Sequence, residues 1–103
     1  MANWIRIASV SDCPPGAARE WMADGRVVAV FNVEGQFFAL DGICPHQGGP
    51  LGRGKLCHAI VTCPWHGWRF DVRTGQYEAN RAVCHPAFPV NTQGTDLFVD
   101  VNG

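Results

Sequence analysis

Short apolar runs and alternating apolar and polar positions recur along the chain, and both patterns are typical of β-strands. The alternation begins at residues 4–7, and two β-rich runs at residues 26–31 and 36–40 flank a glycine-containing turn at residues 32–35. These runs predict a hairpin. Residues 17–22 have helical propensity but are too few to form a stable helix alone, so we predict a strand there as well.

The second half of the chain continues this pattern. It predicts four further strands, at residues 56–62, 68–72, 88–90 and 97–101. The last two would form a closing hairpin, residues 73–75 would form a turn, and residues 80–89 would form an irregular loop. Because turn signals recur at short intervals, the pattern predicts an all-β, antiparallel fold.

The composition supports the same conclusion. Twelve glycines and seven prolines in 103 residues favour turns and argue against long helices. A chain of this length forms one domain and buries about two thirds of the surface that its extended state exposes. The net charge of −1 excludes the strongly basic surface that is typical of nucleic-acid binding, so we expect no nucleic-acid partner.

The chain carries no sign of export or of membrane insertion. Its N-terminal segment has neither the basic nor the apolar region of a signal peptide, and no apolar run approaches the ~20 residues that span a bilayer. Five cysteines are an odd number, which fits a disulfide framework poorly, and free thiols are typical of a reducing compartment. We therefore expect a soluble, cytoplasmic protein with no membrane partner.

The candidate chemistry lies in two short, similar loops, residues 44–46 (Cys-Pro-His) and residues 63–66 (Cys-Pro-Trp-His), with 16 residues between them. Each loop pairs one cysteine with one histidine. Thiolate and neutral imidazole are well suited to hold iron or zinc, so the two loops together supply a complete set of four ligands. The candidate metal ligands are Cys44, His46, Cys63 and His66.

This arrangement resembles the signature of Rieske [2Fe–2S] proteins, in which two histidines replace two cysteines on one of the irons. The order of the ligands, their spacing and the Gly-Trp-x-Phe sequence after His66 all agree. The resemblance implies one [2Fe–2S] cluster per chain. It also implies that Cys44 and Cys63 bind the inner iron, and that His46 and His66 bind the outer iron.

The same resemblance covers nearly the whole chain and implies a fold. Rieske domains are antiparallel β sandwiches in which a small cluster-binding subdomain is inserted into a basal β domain. Residues 1–103 would then form a single Rieske domain, with residues 1–42 and 70–103 as its base and residues 43–69 as the cluster-binding insertion.

Within this family the chain most resembles the stand-alone ferredoxins, which carry single electrons from an NAD(P)H-dependent ferredoxin reductase to a terminal ring-hydroxylating oxygenase. An oxygenase of this class needs a further iron held by two histidines and a carboxylate. After the candidate ligands only His58 and His85 remain, and the chain has no dinucleotide-binding motif. We therefore expect an electron-transfer protein and not an enzyme.

Partners are expected to approach the histidine end of the site, because electron transfer weakens steeply with distance. The polar residues nearest to that end in the sequence are Gln47, Arg53 and Lys55. We expect the charges of Arg53 and Lys55 to influence how fast a partner docks.

The resemblance also implies a low reduction potential. High-potential Rieske proteins carry an extra cysteine in each loop, joined by a disulfide, where this chain has Gly49 and Trp65. They also carry a serine and a tyrosine, with hydroxyls that bond to cluster sulfur and ligand thiolate, where this chain has Trp68 and Phe70. Such hydrogen bonds stabilise the reduced state, so their absence predicts a potential near the low end of the Rieske range, about −150 mV.

Two alternatives stay open at this point. One is the small Rieske-like subunit of assimilatory NAD(P)H nitrite reductase, which is similar in size but often lacks the ligands. The other is a zinc-binding interaction module, since a Cys2His2 set can hold tetrahedral zinc. Outside the candidate site, we expect free thiols at Cys13, Cys57 and Cys84, a turn at His58, and a structural role for the adjacent Cys84 and His85.

Overall fold

The computed structural model describes residues 3–43, 49–65 and 67–101, apart from the side chain of Arg81. In these ranges the chain forms twelve short strands and two 3-10 helices. The strands are β1 Ile5–Ser9, β2 Ala18–Ala23, β3 Arg26–Val33, β4 Gln36–Asp41, β5 Lys55–Cys57, β6 Ile60–Thr62, β7 Arg69–Asp71, β8 Gln76–Tyr77, β9 Asn80–Cys84, β10 Ala87–Phe88, β11 Val90–Gln93 and β12 Asp96–Val99. The 3-10 helices are Val10–Asp12 and Leu51–Arg53. No helix in the described ranges is long and apolar enough to cross a membrane.

The strands form three antiparallel sheets. The first has the order β1-β12-β11 and joins the two ends of the described chain, because Ile5 pairs with Val99. The second has the order β10-β4-β3-β2, and the third has the order β5-β6-β7-β8-β9. In the third sheet each strand pairs with the next one along the chain, so residues 55–84 form a continuous meander.

β3 lies between two hydrophobic cores and contributes to both. Successive side chains of a strand point to opposite faces of its sheet. Val28 and Val30 pack into the core shared with β12 of the first sheet, whereas Ala29 and Phe31 pack into the core shared with β6 and β7 of the third. All four side chains are fully buried. The second sheet is therefore the middle layer of the fold.

The predicted all-β, antiparallel fold is confirmed, and most of the predicted strands are observed near their expected positions. These include β1, β2, β7 and the hairpin of β3 and β4. A closing hairpin is observed as β11 and β12, but the predicted strand at residues 88–90 is divided at Pro89 between β10 and β11, which lie in different sheets. The division into a base and an insertion at residues 43–69 stays a prediction. The sheet that contains β5 and β6 extends beyond that range, as far as Cys84.

Two details of the prediction are wrong. Residues 56–62 form two strands instead of one, because His58 adopts a left-handed backbone conformation with φ of 55° between β5 and β6. The expected turn at His58 is thereby confirmed. Residues 80–89 contain β9 and β10 instead of an irregular loop. These two strands depend on pairing with β8 and β4, which the local pattern of side chains does not reveal.

Cys13 belongs to the core beneath the first sheet. Its side chain is fully buried, and its Sγ lies 3.6 Å from the carbonyl oxygen of Ala17 and 3.8 Å from that of Val30. Burial raises the pKa of the Cys13 thiol. Cys13 is thus a protonated free thiol within the core, and the free thiol expected there is confirmed.

Candidate metal centre

Cys63 is the one candidate ligand that the structure describes; Cys44, His46 and His66 lie outside the described residues. Cys63 follows β6 directly and is 1% exposed. Its backbone N–H donates a 2.7 Å hydrogen bond to the carbonyl oxygen of Trp68, which closes the second loop just before β7. The thiol is therefore attached at a fixed point between two adjacent strands.

The ends of the first loop are fixed as well. Ile43 and Pro50, on either side of the loop, form an antiparallel bridge. Next to this bridge, the N–H of Leu51 donates to the carbonyl oxygen of Gly42 at 2.9 Å. The N–H of Gly42 in turn donates to the carbonyl oxygen of Val27 in β3, also at 2.9 Å. These backbone bonds anchor the stem of the first loop, which comprises residues 41–43 and 50–51, to the middle sheet.

The two loops meet at Gly49. A Cβ atom placed on Gly49 would lie 2.7 Å from Sγ of Cys63 and 3.0 Å from Cβ of Trp65. Both distances are shorter than ordinary van der Waals contact, so a side chain does not fit there. Glycine is therefore needed here for space. The backbone of the first loop thus lies directly against the candidate ligand thiol of the second.

An apolar layer lies beneath the Cys63 thiol. Cys63 shares a core cluster with Leu51, Val61 and Phe70, which are all fully buried. The rings of Trp68 and Tyr77 pack against this cluster and stack on each other, with their centroids 4.3 Å apart and an interplanar angle of 11°. This layer excludes water from the inner side of the site and lowers the local dielectric constant, which strengthens electrostatic interactions there.

The outer side of the site carries exposed apolar residues. Ile43, which directly precedes Cys44, is 45% exposed, and Trp65, which directly precedes His66, is 51% exposed. Pro64 is exposed too. Apolar side chains therefore stand at the surface beside both loops, where a partner protein can cover them.

Two basic residues follow the first loop. The exposed Arg53 forms an ion pair with the half-buried Glu20, with Nε 3.7 Å from Oε2. Lys55 is exposed, and no ion pair within the described part of the chain involves it. The third polar residue expected near the site, Gln47, lies outside the described residues. Exposed ion pairs contribute little to stability, so the charges of Arg53 and Lys55 are available for docking.

The other cysteines and histidines do not form a second metal site. Cys57 and Cys84 are exposed free thiols on opposite edge strands of the third sheet. Within the described ranges, no group of three or more histidine, cysteine, aspartate or glutamate side chains is placed to hold a metal ion. The adjacent Cys84 and His85 differ in environment, because His85 is buried and its Nε2 lies 2.7 Å from the carbonyl oxygen of Asp41. No local sequence signal marks this contact, since it joins residues that are 44 positions apart.

A family model for the Rieske [2Fe–2S] domain matches residues 3–92. The chain belongs to the Rieske [2Fe–2S] domain family. The predicted family is therefore confirmed, as is the predicted cofactor, one [2Fe–2S] cluster. This assignment overturns the zinc-binding alternative.

Near-full-length relatives of this Rieske protein are ferredoxin components of dioxygenase systems. The biphenyl dioxygenase ferredoxin subunit of Pseudomonas sp. strain KKS102 is 36% identical, over 95% of this chain and 92% of the relative. The 3-phenylpropionate/cinnamic acid dioxygenase ferredoxin subunit of Escherichia coli strain K12 is 35% identical, over 96% of this chain and 94% of the relative. The predicted role as an electron carrier, and not an enzyme, is confirmed by these similarities.

Solved structures show the same similarity to ferredoxins. The ferredoxin of carbazole 1,9a-dioxygenase from Nocardioides aromaticivorans IC177 has a TM-score of 0.85 and 28% identity, over 96% of this chain and 98% of that one. The small subunit of a nitrite reductase has a TM-score of 0.80 but only 17% identity, so it shares the fold alone. The nitrite reductase alternative thus gains support for its architecture and none for its function.

The described residues fit an iron–sulfur cluster. Such clusters are held by cysteine thiolates, and hydrogen bonds to sulfur and solvent exposure tune their potential. Cys63 supplies a thiol in a dry apolar setting, and the close approach of Gly49 brings main chain against that sulfur. A bound [2Fe–2S] cluster would supply reversible uptake of one electron.

We predict that Gly49→Ala impairs cluster binding because the added methyl group has no space. The added methyl group must displace the Cys63 sulfur or the Trp65 ring, because both lie within 3.0 Å of its position. Iron and acid-labile sulfide per purified chain should fall by about half or more, since overpacking of a tight contact costs roughly 1–3 kcal/mol.

Gly35→Ala is the matched control for this variant. Gly35 has a φ of 93° and no neighbouring atom within 4 Å of an added Cβ, so its substitution strains the backbone away from Cys63. The control should lower the melting temperature while retaining the cluster. If Gly49→Ala keeps its full iron and sulfide content, the close contact between the two loops is not needed for cluster binding and the prediction is wrong.

Proposed function

We propose that Cys44, His46, Cys63 and His66 hold the [2Fe–2S] cluster, with the cysteines on the inner iron and the histidines on the outer iron. Two observations support this ligand set: the match of spacing to the Rieske signature, and the burial of the Cys63 thiol against the backbone of the first loop. An imidazole that binds metal through one ring nitrogen keeps the other nitrogen for a partner or solvent. The histidine end is therefore the proposed exit for the electron.

The proposed role is that of a ferredoxin in a multicomponent oxygenase system. It would accept single electrons from an NAD(P)H-dependent ferredoxin reductase and deliver them to a terminal ring-hydroxylating oxygenase. The observation that carries this proposal is the near-full-length similarity to ferredoxin subunits of dioxygenases. A structure of reduced oxygenase and oxidised ferredoxin in carbazole 1,9a-dioxygenase matches this chain with a TM-score of 0.85 and 30% identity, which supports direct docking.

The proposed docking surface is the outer side of the two loops. Ile43 and Trp65 provide exposed apolar area there, and aromatic residues are favoured at the centres of protein interfaces. Arg53 and Lys55 would lie at the rim of this surface and guide the approach of an acidic partner surface. The apolar layer beneath Cys63 keeps water away from the inner side while the outer side is covered.

The proposed reduction potential is low. Positions 49 and 65, which hold cysteines in high-potential Rieske proteins, face each other closely here, in support of that correspondence. Gly49 and Trp65 cannot form the disulfide. Phe70 is fully buried in the same cluster as Cys63 but carries no hydroxyl that could bond to the thiolate.

We also infer that the protein works in the cytoplasm. Cys57 and Cys84 are exposed free thiols, and a reducing compartment preserves thiols of this kind.

The ligand set is tested with His46→Ala and His66→Ala. Each substitution removes one of two ligands from the outer iron, so neither variant should show the visible and EPR spectra of a Rieske centre. His58→Asn is the control, because His58 is exposed in a turn with φ of 55° and asparagine tolerates this conformation. A parental spectrum in either alanine variant would refute the assignment.

The reduction potential is tested by redox titration followed by EPR. We expect about −150 mV for the parent, the low end of the range known for Rieske centres. Phe70→Tyr should raise the potential, because a hydroxyl near the Cys63 thiolate stabilises the extra negative charge of the reduced state. Phe37→Tyr adds a hydroxyl beside the other core and should leave the potential unchanged. A parent potential well above zero would contradict the low-potential ferredoxin.

Docking is tested by charge reversal at matched arginines. Arg53→Glu and Arg6→Glu change the net charge equally, and each breaks an ion pair, with Glu20 near the loops or with Asp96 in the first sheet. Arg53→Glu should slow reduction of a terminal oxygenase from a related system about threefold or more at low salt, and the difference should vanish at high salt. Lys55→Glu should act like Arg53→Glu. If all three variants reduce the oxygenase at equal rates across a salt series, the surface around Arg53 and Lys55 is not the docking surface.

A further inference from the structure

His85 is a buried polar residue that electron transfer itself does not require. It follows β9 and is 5% exposed. Its Nε2 lies 2.7 Å from the carbonyl oxygen of Asp41, the last residue of β4. Because a carbonyl oxygen only accepts, Nε2 carries the proton and donates this hydrogen bond.

The Asp41 side of this bond belongs to the stem of the first loop. Asp41 Oδ1 accepts a 3.0 Å hydrogen bond from the N–H of Ile43, the residue before Cys44. The N–H of Asp41 donates to the carbonyl oxygen of Pro86 at 2.9 Å. The direction in which the chain enters the first loop is therefore set at Asp41, and His85 and Pro86 both bind to it.

The other side of His85 belongs to the segment that leaves the second loop. The N–H of His85 donates a 2.7 Å hydrogen bond to the carbonyl oxygen of Gly75, in the turn after β7. A Cβ atom on Gly75 would collide with the carbonyl oxygen of His85, so the two backbones are in direct contact. The imidazole ring also packs on Phe70 of β7, with centroids 5.6 Å apart and an interplanar angle of 42°.

We propose that His85 is a positioning residue that fixes the separation of the two cluster-binding loops. It does so by joining the stem of the first loop at Asp41 to the exit of the second at Phe70 and Gly75. The proposal rests on the ligand set proposed above. It makes cluster retention and the electronic structure of the centre depend on a side chain that is not a ligand.

The expected effect follows from the burial of this link. Without the imidazole N–H, the Asp41 carbonyl loses its side-chain donor, and a partly buried acceptor left unpaired costs more free energy than the hydrogen bond contributed. The stem can restore the pairing only by moving towards water, which changes its distance from Cys63. Hydrogen bonding to sulfur depends on that distance, and the reduction potential depends on the hydrogen bonding.

The test compares His85→Phe with His85→Gln. Phenylalanine retains the ring contact with Phe70 but has no donor, whereas glutamine retains an N–H at similar reach. His85→Phe should release iron to a chelator about tenfold faster than the parent, the factor that corresponds to about 1.4 kcal/mol. It should also shift the EPR g-values and the reduction potential. His85→Gln should restore all three towards the parent.

Asn32→Ala is the matched control. Asn32 is 3% exposed; its Nδ2 donates a 2.8 Å hydrogen bond to the carbonyl oxygen of Cys13, and its Oδ1 accepts a 2.7 Å hydrogen bond from the N–H of Gly35. The substitution therefore removes at least as much buried hydrogen bonding as His85→Phe, in another part of the fold. The control should lower the melting temperature and leave the EPR spectrum and potential unchanged. If His85→Phe behaves like Asn32→Ala, His85 is only structural and the proposal is overturned.

His85→Glu and His46→Ala allow the proposal to be tested even if His85→Phe does not fold. If His85→Phe does not fold, the pair His85→Gln and His85→Glu makes the same comparison, because only the amide donates to the Asp41 carbonyl. Unchanged spectra in His85→Glu would then overturn the proposal. His46→Ala, measured alongside, separates failure of this proposal from failure of the ligand set, because it should abolish the Rieske signal whatever His85 does.

Discussion

Burial of both faces of β3 is the constraint on which the remaining structure depends. If β3 shifted by one residue, Val28 and Val30 would point into the core that now contains Ala29 and Phe31, and those two would point into the other core. The two cores are built from different residues, so the register of this strand is strongly specified. The first loop is attached to the same strand through the bond between Gly42 and Val27. The packing that stabilises the fold therefore also sets the position of the site.

The site itself is positioned mostly by main chain. Cys63 is held through its own N–H, and the first loop is closed by a backbone bridge and reaches the thiol at Gly49. Main-chain contacts of this kind have little freedom to rearrange. We therefore expect a centre built on them to be preorganised, with surroundings that change little between its oxidised and reduced forms.

The sequence predicted the parts of the protein that local patterns encode. Ligand spacing is local, so the Rieske assignment followed from a few residues, and alternation within single strands located most of the sheet. The strands β9 and β10 were missed because pairing with distant segments makes them strands. A turn at His58 was expected, but the pattern of side chains at residues 56–62 did not show that it divides the run into two strands. The link from His85 to Asp41 could not be predicted, since only the folded chain brings these residues together.

The order of strands in the sheets has a consequence for how the protein acquires its cluster. The sheet that carries Cys63 pairs only neighbouring strands, so each of its hairpins closes a short loop at a small entropic cost. The first sheet instead joins Ile5 to Val99 and cannot form until the last strand has been synthesised. Because non-local pairing is slow, we expect the meander beside Cys63 to form ahead of the first sheet. On this expectation, iron and sulfide would reach a chain in which the strands on either side of Cys63 have paired and the two ends have not.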